Sequence, residues 1–209
     1  MFDTIEWIFF DVGSTIVDES RAYRHRIEDA VEGTDITYQM FYETMINYYR
    51  QNKKGDKETI KQYGLVKSKW HAEDERLYCD ARECLSSLSS IYKIGIIANQ
   101  DFGTRERLQS FGILKYIDLV IASAEEGVSK PDLRIFKLAL KRAECMPENA
   151  IMIGDRLDND IAPANTLGMK TIWVKQGFSG KYSKPETDME QPDYIVDNLD
   201  EVRKLLLTQ

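Results

Sequence analysis

Two carboxylates, one amide and one lysine stand at corresponding places in the sequence, each shortly after a run of apolar residues. They are Asp11, Asn99, Asp155 and Lys130. A carboxylate at such a place can act as a nucleophile or as a ligand of a hard cation. A lysine close to it would neutralise an anion such as phosphate. Together these residue types indicate a site that holds an anion beside a nucleophile or a metal ion.

The elements that position these side chains form an alternating pattern. Apolar runs too short for helices predict buried strands at residues 5–10, 94–98, 117–122, 150–153 and 170–174. Apolar residues at helical spacing predict helices between the later strands, at residues 105–111, 133–143 and 160–167. This alternation predicts a parallel sheet with helices on its faces. Ligands bind beyond the carboxyl ends of such strands, so we expect the four side chains at one edge.

The stretch after the first strand differs from the rest of the chain. Residues 18–82 contain no clear strand and are predicted to form a helical insert that covers the site like a lid. An aromatic and apolar stripe within it is predicted to be helix-packing core: Tyr38, Phe41, Tyr42, Met45, Ile46 and Tyr49. The predicted domains are therefore a core of residues 1–17 and 83–209 and a cap of residues 18–82.

Four ordered motifs carry a resemblance to a known family. Residues 9–18 read FFDVGSTIVD, residues 94–99 read IGIIAN, residues 130–132 read KPD and residues 153–161 read IGDRLDNDI. This series resembles the haloacid dehalogenase superfamily, in the subfamily with a helical cap inserted after the first motif. The resemblance covers nearly the whole chain and implies an α/β fold, with a Rossmann-like parallel-sheet core and an α-helical cap.

The resemblance also implies a reaction. A member of this kind would be a Mg²⁺-dependent phosphatase, in which Asp11 attacks phosphorus and forms an aspartyl-phosphate that water then hydrolyses. Mg²⁺ would be held by Asp11, by the backbone carbonyl of Gly13 and by Asp155. Asp160 would bind the metal or its waters. Carboxylates suit this task because Mg²⁺ prefers oxygen ligands.

The remaining site residues follow from the same resemblance. Lys130 would steady the phosphoryl oxygens, and Asn99 would donate hydrogen bonds near the transferring group. The catalytic residues implied are thus Asp11, Asn99 and Lys130. The implied substrate-binding residues are Ser14, Thr15, Asn99, Gln100, Lys130 and Arg156.

Two positions depart from the family pattern. Phosphatases of the family carry a second aspartate two residues after the nucleophile, which protonates the leaving group, but this chain has Gly13 there. Ala98 stands where a hydroxyl residue usually binds the phosphoryl group. Loss of a general acid typically costs about 10²–10⁴ in rate. The chain would then act on esters with good leaving groups, use a surrogate acid such as Asp18, Glu19 or a cap residue, or turn over very slowly.

These departures leave two alternatives to a phosphatase. Dehalogenases of the superfamily also lack the second aspartate and need no metal, so a 2-haloacid dehalogenase is the first. A degenerate member that binds a phosphorylated ligand without turnover is the second. The carboxylate pair Asp155 and Asp160 favours phosphoryl chemistry, because a metal-free carbon–halogen reaction has no use for that acidity.

Composition and charge limit the classes of partner that we expect for this protein. The chain has 209 residues, 43% hydrophobic and 30% charged, which is typical of a globular protein. The net charge of −7 argues against a nucleic-acid partner, and no apolar run reaches the length of a membrane span. Three cysteines and the lack of a secretory signal predict a cytoplasmic protein. We expect a small phosphorylated substrate; the oligomeric state stays open.

Other segments are predicted to be structural. The glycine-rich residues 177–181 lack the context of a phosphate loop and are interpreted as a flexible turn. His25 and His71 are interpreted as solvated surface residues, with a second possibility that His25 lies near the substrate. Asp158 is interpreted as a helix cap and Lys54 as part of a solvated helix end.

Overall fold

The computed structural model of the protein describes residues 2–208 and contains a six-stranded sheet in the order β5-β4-β1-β6-β7-β8. All of its neighbouring strands are parallel. A two-stranded antiparallel ribbon, β2 with β3, lies outside this sheet. The strands are β1 (Trp7–Phe10), β2 (Val17–Asp18), β3 (Arg76–Leu77), β4 (Lys93–Ala98), β5 (Leu119–Ala122), β6 (Ala150–Gly154), β7 (Lys170–Val174) and β8 (Tyr194–Val196). The predicted α/β fold class is confirmed.

Helices follow most strands and cover both faces of the sheet. They are α1 (Ser20–Val31), α2 (Tyr38–Tyr49), α3 (Gly55–Tyr63), α4 (Ala81–Leu88), α5 (Thr104–Ser110), α6 (Ser123–Glu126), α7 (Leu133–Ala143), α8 (Ala162–Leu167), α9 (Gly177–Tyr182) and α10 (Leu199–Leu207). Within residues 2–208, none of them has the length and apolar composition needed to cross a bilayer.

The central strand β1 shows why this arrangement is stable. Successive side chains of a strand point to opposite faces, and all three residues from Ile8 to Phe10 are fully buried. Ile8 and Phe10 join the core formed with α4 and α10, whereas Phe9 joins the core formed with α7 and α8. Both faces of the sheet are therefore covered, as a continuous apolar run requires.

The cap consists of α1, α2 and α3, inserted between the two short strands of the ribbon. Its own core contains Ile27, Phe41, Met45 and Tyr49. The last three belong to the aromatic and apolar stripe, which therefore packs between helices as predicted. Because β2 and β3 pair with each other, the chain enters and leaves the cap at one place.

The predicted C-terminal boundary of the cap, after residue 82, falls inside α4, a helix of the core. Arg82 is the second residue of α4, and Ala81 and Leu85 on that helix are fully buried in the main core beneath the sheet. The cap helices end at Tyr63, and the chain returns through β3 before α4 begins at Ala81.

The segment interpreted as a flexible turn forms the helix α9 instead. Phe178 stacks on Tyr49 of the cap with ring centroids 5.8 Å apart, and it meets the edge of Tyr23 at 5.1 Å. Tyr182, one turn later, packs against the same cap cluster. The two aromatic side chains stabilise a helix that the glycines alone do not favour, because tertiary packing outweighs local propensity.

Candidate active site

The strand order brings the predicted site residues to one edge of the sheet. β1 lies between β4 and β6, so Asp11, Asn99 and Asp155 follow three adjacent strands. The Asp11 N–H donates to the carbonyl of Ile153 at 2.9 Å, which continues the β1–β6 pairing up to the carboxylate. The backbone on which Asp11 is mounted is therefore rigid.

Lys130 joins two of the carboxylates. Its Nζ donates to Asp11 Oδ1 at 2.7 Å and to Asp160 Oδ1 at 2.6 Å, and its side chain is almost fully buried. Burial by itself lowers the pKa of the ammonium, but the charges of Asp11 and Asp160 raise it above its ordinary value. Lys130 is thus a fixed positive charge at the site.

Asn99 supports this lysine through its backbone. The Asn99 side chain accepts a hydrogen bond from the Lys130 N–H at 2.8 Å and donates one to the Lys130 carbonyl at 2.9 Å. Both ends of the amide are thereby engaged while the residue also lines the cavity. The Asn99 side chain therefore fixes the position of the Lys130 backbone.

Asp160 reaches the site because of a glycine. Residues Leu157–Ile161 form a single π-helical turn, and the Arg156 N–H donates to Asp160 Oδ2 at 3.0 Å. A Cβ at Gly154 would stand 2.3 Å from that same oxygen. Only glycine permits this approach of the carboxylate to the end of β6.

Three buried carboxylates form a donor set for a cation. Asp11, Asp155 and Asp160 each offer an oxygen within 4.8 Å of the others. Burial, together with the charges of Asp160 and Asp11, raises the pKa of Asp155 well above its ordinary range. Burial also raises the pKa of Asp160 to about 6, although Lys130 opposes this. When all three carboxylates are ionised, they carry more negative charge than the one ammonium of Lys130 offsets, and their oxygen donors fit Mg²⁺.

Glu19 occupies the space that Gly13 leaves empty. A Cβ at Gly13 would stand 2.5 Å from Glu19 Oε1, and Ser14 Oγ donates to Glu19 Oε2 at 2.9 Å. Burial raises the pKa of Glu19 from 4.5 to about 7; the bond from Ser14 lowers it and the charge of Asp11 adds to the rise. A carboxyl that is partly protonated near neutrality thus lies where the family places its second aspartate.

Asp18, the other surrogate acid considered, is engaged elsewhere. Its Oδ1 accepts a hydrogen bond from the Ser20 N–H at 2.9 Å at the start of α1. It lines the neighbouring pocket but not the cavity that contains Asp11. Of the two surrogate acids, Glu19 therefore lines the cavity that contains Asp11, and Asp18 does not.

The loop after Asp11 places its two hydroxyl residues differently. Ser14 has a left-handed backbone (φ 58°) and lines the cavity. Thr15 is fully buried, does not line the cavity, and its Oγ1 has no hydrogen-bond partner among residues 2–208.

Gln100 and Arg156, the other two predicted substrate-binding residues, line the cavity, and each forms side-chain hydrogen bonds to a neighbouring residue. Gln100 Oε1 accepts a hydrogen bond from Arg107 Nη1. Arg156 donates from Nε and Nη2 to the two oxygens of Asp158, at 3.0 and 2.6 Å. Asp158 therefore pairs with Arg156 and does not cap the following turn.

The cavity holds about 300 Å³, and cap residues form part of its wall. Cap and α9 residues that the motifs did not point to line it: Tyr23, Tyr49, Lys54, Lys57 and Phe178. A second pocket of about 540 Å³ adjoins it and shares Ser14, Glu19, Tyr23 and Phe178. Three of the cap and α9 residues stood in segments that the sequence analysis singled out: Tyr49 in the aromatic stripe, Lys54 at a helix end interpreted as solvated, and Phe178 in the glycine-rich segment. None of the three was predicted to line the site, where the structure places them.

Comparison with known proteins identifies the family of the chain. Residues 8–174 match the model of a family described as haloacid dehalogenase-like hydrolase. The chain is 30% identical to the glyceraldehyde 3-phosphate phosphatase of Pyrococcus furiosus, over 97% of this chain and 93% of that protein.

Two solved structures share the fold. One is a HAD-hydrolase, YfnB, of Bacillus subtilis bound to magnesium, with a TM-score of 0.71, 22% identity and coverage of 97% and 99% of the two chains. The other is the L-2-haloacid dehalogenase of Xanthobacter autotrophicus, with a TM-score of 0.70, 17% identity and coverage of 97% and 98%. The fold thus occurs both in a hydrolase that binds magnesium and in a dehalogenase.

Proposed function

Since this chain belongs to the haloacid dehalogenase-like hydrolase family, we propose that it is a Mg²⁺-dependent phosphatase of a small phosphorylated metabolite. The observation that carries the proposal is the buried set of Asp11, Asp155 and Asp160 around the Lys130 ammonium. The similarity to a named phosphatase over nearly the whole chain supports the same reaction.

The ligands of the metal would be Asp11, Asp155, Asp160 and the backbone carbonyl of Gly13. Bound Mg²⁺ would supply positive charge that offsets the repulsion between carboxylate and phosphoryl oxygens. Lys130 contributes further positive charge on the side of Asp11 Oδ1.

Asp11 acts as the nucleophile in this proposal. Lys130 holds Oδ1, which leaves Oδ2 to form the bond to phosphorus while the bond from phosphorus to the leaving oxygen breaks. Water then attacks phosphorus of the aspartyl-phosphate, and the release of phosphate restores Asp11.

Glu19 takes the part of the missing general acid. Its protonated carboxyl gives a proton to the leaving oxygen, and the resulting carboxylate accepts a proton from the attacking water. The position of Oε1 beside Gly13 and the pKa of about 7 support this role. Ser14 orients the carboxyl through its hydrogen bond to Oε2.

A dehalogenase is the second candidate, because Gly13 lacks the acid that a phosphatase uses and a carbon–halogen bond needs no such acid. The buried pair Asp155 and Asp160 argues against it, since Lys130 is the one ammonium paired with the donor set in the described part of the chain, and buried charges are costly unless they are offset.

The test is phosphate release from a panel of phosphorylated metabolites, with Mg²⁺ or with a chelator, beside halide release from 2-haloacids. We expect phosphate release only with Mg²⁺, and its loss by more than ~10³-fold in Asp11→Asn. Asp188→Asn, which alters an exposed aspartate outside the cavity, is the matched control and keeps activity. Halide release that persists in chelator would establish the dehalogenase instead.

A further inference from the structure

A second group of metal-binding side chains lies in the cap, on α1 and on the one-turn 3₁₀ helix at Ala72–Asp74 with the residue before it. We propose that His25, Asp29 and His71 form a binding site for a transition-metal ion of the Zn²⁺ type. His71, interpreted from the sequence as a solvated surface residue, is in fact buried.

The donor atoms converge on one carboxylate. His71 Nε2 lies 2.7 Å from Asp29 Oδ2, and His25 Nε2 lies 3.8 Å from Asp29 Oδ1. Each of the three residues offers a donor atom within 4.8 Å of the others. Tetrahedral Zn²⁺ with bonds of about 2.0–2.1 Å places its ligands roughly 3.3 Å apart. A change of side-chain rotamer at one of the two histidines would therefore be needed to bring the three donors into one coordination sphere.

The far nitrogen of each imidazole is already held by a carboxylate. His25 Nδ1 lies 2.8 Å from Asp74 Oδ2, and His71 Nδ1 lies 3.1 Å from Glu73 Oε1. A carboxylate accepts hydrogen bonds, so each Nδ1 carries a proton. His71 Nε2 carries one as well while it donates to Asp29, and a metal ion would displace that proton to bind the Nε2 lone pair. Histidines that ligate zinc show this carboxylate support.

The two rings are stacked, with centroids 3.4 Å apart and planes 13° apart. Parallel rings point their lone pairs in the same direction, so one ring must turn for both to reach one ion. His25 can do so because its side chain is 44% exposed, whereas that of His71 is 8% exposed.

The local charge favours a cation. Asp29, Glu73 and Asp74 face the two rings, and the only cation paired with this group within residues 2–208 is Lys69, 3.7 Å from Glu73. With a metal bound, both imidazoles would be neutral, and the three carboxylates would leave a net negative charge there. A divalent ion offsets that charge without placing two imidazolium rings face to face.

The donors select the class of metal. Imidazole nitrogens suit zinc and its neighbours, whereas Mg²⁺ prefers oxygen alone. This site is thus chemically distinct from the carboxylate set around Asp11. Bound metal would fasten residue 71 to α1. The adjacent Trp70 contacts Tyr23, a cavity residue, with ring centroids 5.0 Å apart.

The experiment is calorimetric titration of the chelator-stripped full chain with Zn²⁺ in saturating Mg²⁺, which occupies the oxygen site. We expect one Zn²⁺ per chain. Removal of a ligand in His25→Gln or Asp29→Asn should weaken binding by at least ~100-fold, and Asp74→Asn by ~10-fold or more. Glu28→Gln is the matched control, because Glu28 neighbours Asp29 but pairs with Arg24 at 3.8 Å.

Co²⁺ in place of Zn²⁺ gives a second readout that does not depend on activity. Strong visible absorption of a tetrahedral centre in the wild type, lost in His25→Gln, supports the site. Thermal unfolding of each variant without metal shows whether it is folded, and half-exposed His25 makes that variant the decisive one. Failure of the wild type to bind Zn²⁺, or equal affinity in His25→Gln and the wild type, overturns the proposal.

Discussion

Replacement of Glu19 by glutamine isolates the proton that this site would supply to the leaving group. Glutamine has nearly the same shape, and its side-chain oxygen can still accept the hydrogen bond from Ser14 that now reaches Glu19 Oε2 at 2.9 Å. The substitution removes the acidic proton of Glu19. This proton lies beside Gly13, because a Cβ built on Gly13 would stand 2.5 Å from Glu19 Oε1.

The expected effect depends on the leaving group. An alkoxide must be protonated as it departs, so Glu19→Gln should lower kcat on alkyl phosphates by ~10²–10⁴, or about 3–5 kcal/mol in activation free energy. An aryl or acyl oxygen leaves as a stable anion, and the loss there should stay below ~10-fold. Parallel measurement of kcat on the two ester classes gives the ratio directly.

The pH profile gives an independent check. The acid works in its protonated form, and the pKa of Glu19 is raised to about 7. The wild-type rate on alkyl esters should therefore fall as the pH rises through about 7, and this descending limb should be absent from Glu19→Gln. Asp18→Asn is the matched control, since Asp18 lines only the neighbouring pocket.

The reasoning would be refuted by equal losses on alkyl and aryl esters, or by an unchanged descending limb in the variant. Gly13→Asp offers a further test, because the new side chain would meet the Glu19 carboxyl. Alone it should displace Glu19 and gain little. Combined with Glu19→Ala, which frees the space, it should recover alkyl-ester activity relative to Glu19→Ala alone.

Two further predictions concern the metal site and the fold. Asp155→Asn should weaken Mg²⁺ binding by at least ~10-fold in calorimetry because it removes a buried ligand charge, whereas Asp158→Asn should not; equal affinities in both would remove Asp155 from the site. Gly177→Ala should lower the free energy of unfolding by ~2–4 kcal/mol, because φ is +58° and the new Cβ would lie 2.4 Å from Ser14 Cβ. Gly168→Ala, with φ +84° and open space around it, should cost only ~1–2 kcal/mol; similar losses in denaturant unfolding would contradict the clash with Ser14.

The local sequence was sufficient for five strands of the main sheet and for the residues at their ends, but it missed the short ribbon strands β2 and β3. An apolar run of four to six residues closed by a polar side chain indicates a buried parallel strand, and this placed Asp11 and Asp155 next to strand ends. The predicted helix at residues 133–143 agrees with α7 in both bounds, because amphipathic spacing is a local property. The family motifs follow from the same short segments.

Contacts between distant segments were not readable in this way. The hydrogen bonds from Lys130 to Asp11 and Asp160 join residues 119 and 30 positions apart. The stacking of His25 on His71 and the folding of α9 against the cap depend likewise on which surfaces meet. Periodicity describes one element at a time and carries no distance between two elements.

Gly13 shows most clearly which features the sequence determines and which depend on the tertiary structure. The sequence determined that a carboxylate is missing there, since the residue can be read directly. Only the tertiary structure decided what fills the vacated space: the loop from Asp11 to Val17 folds back through hydrogen bonds to Val12 and Val17, and this brings Glu19 beside Gly13. Which group occupies an empty volume depends on the backbone path and on packing from several elements, and a linear sequence does not specify either by itself.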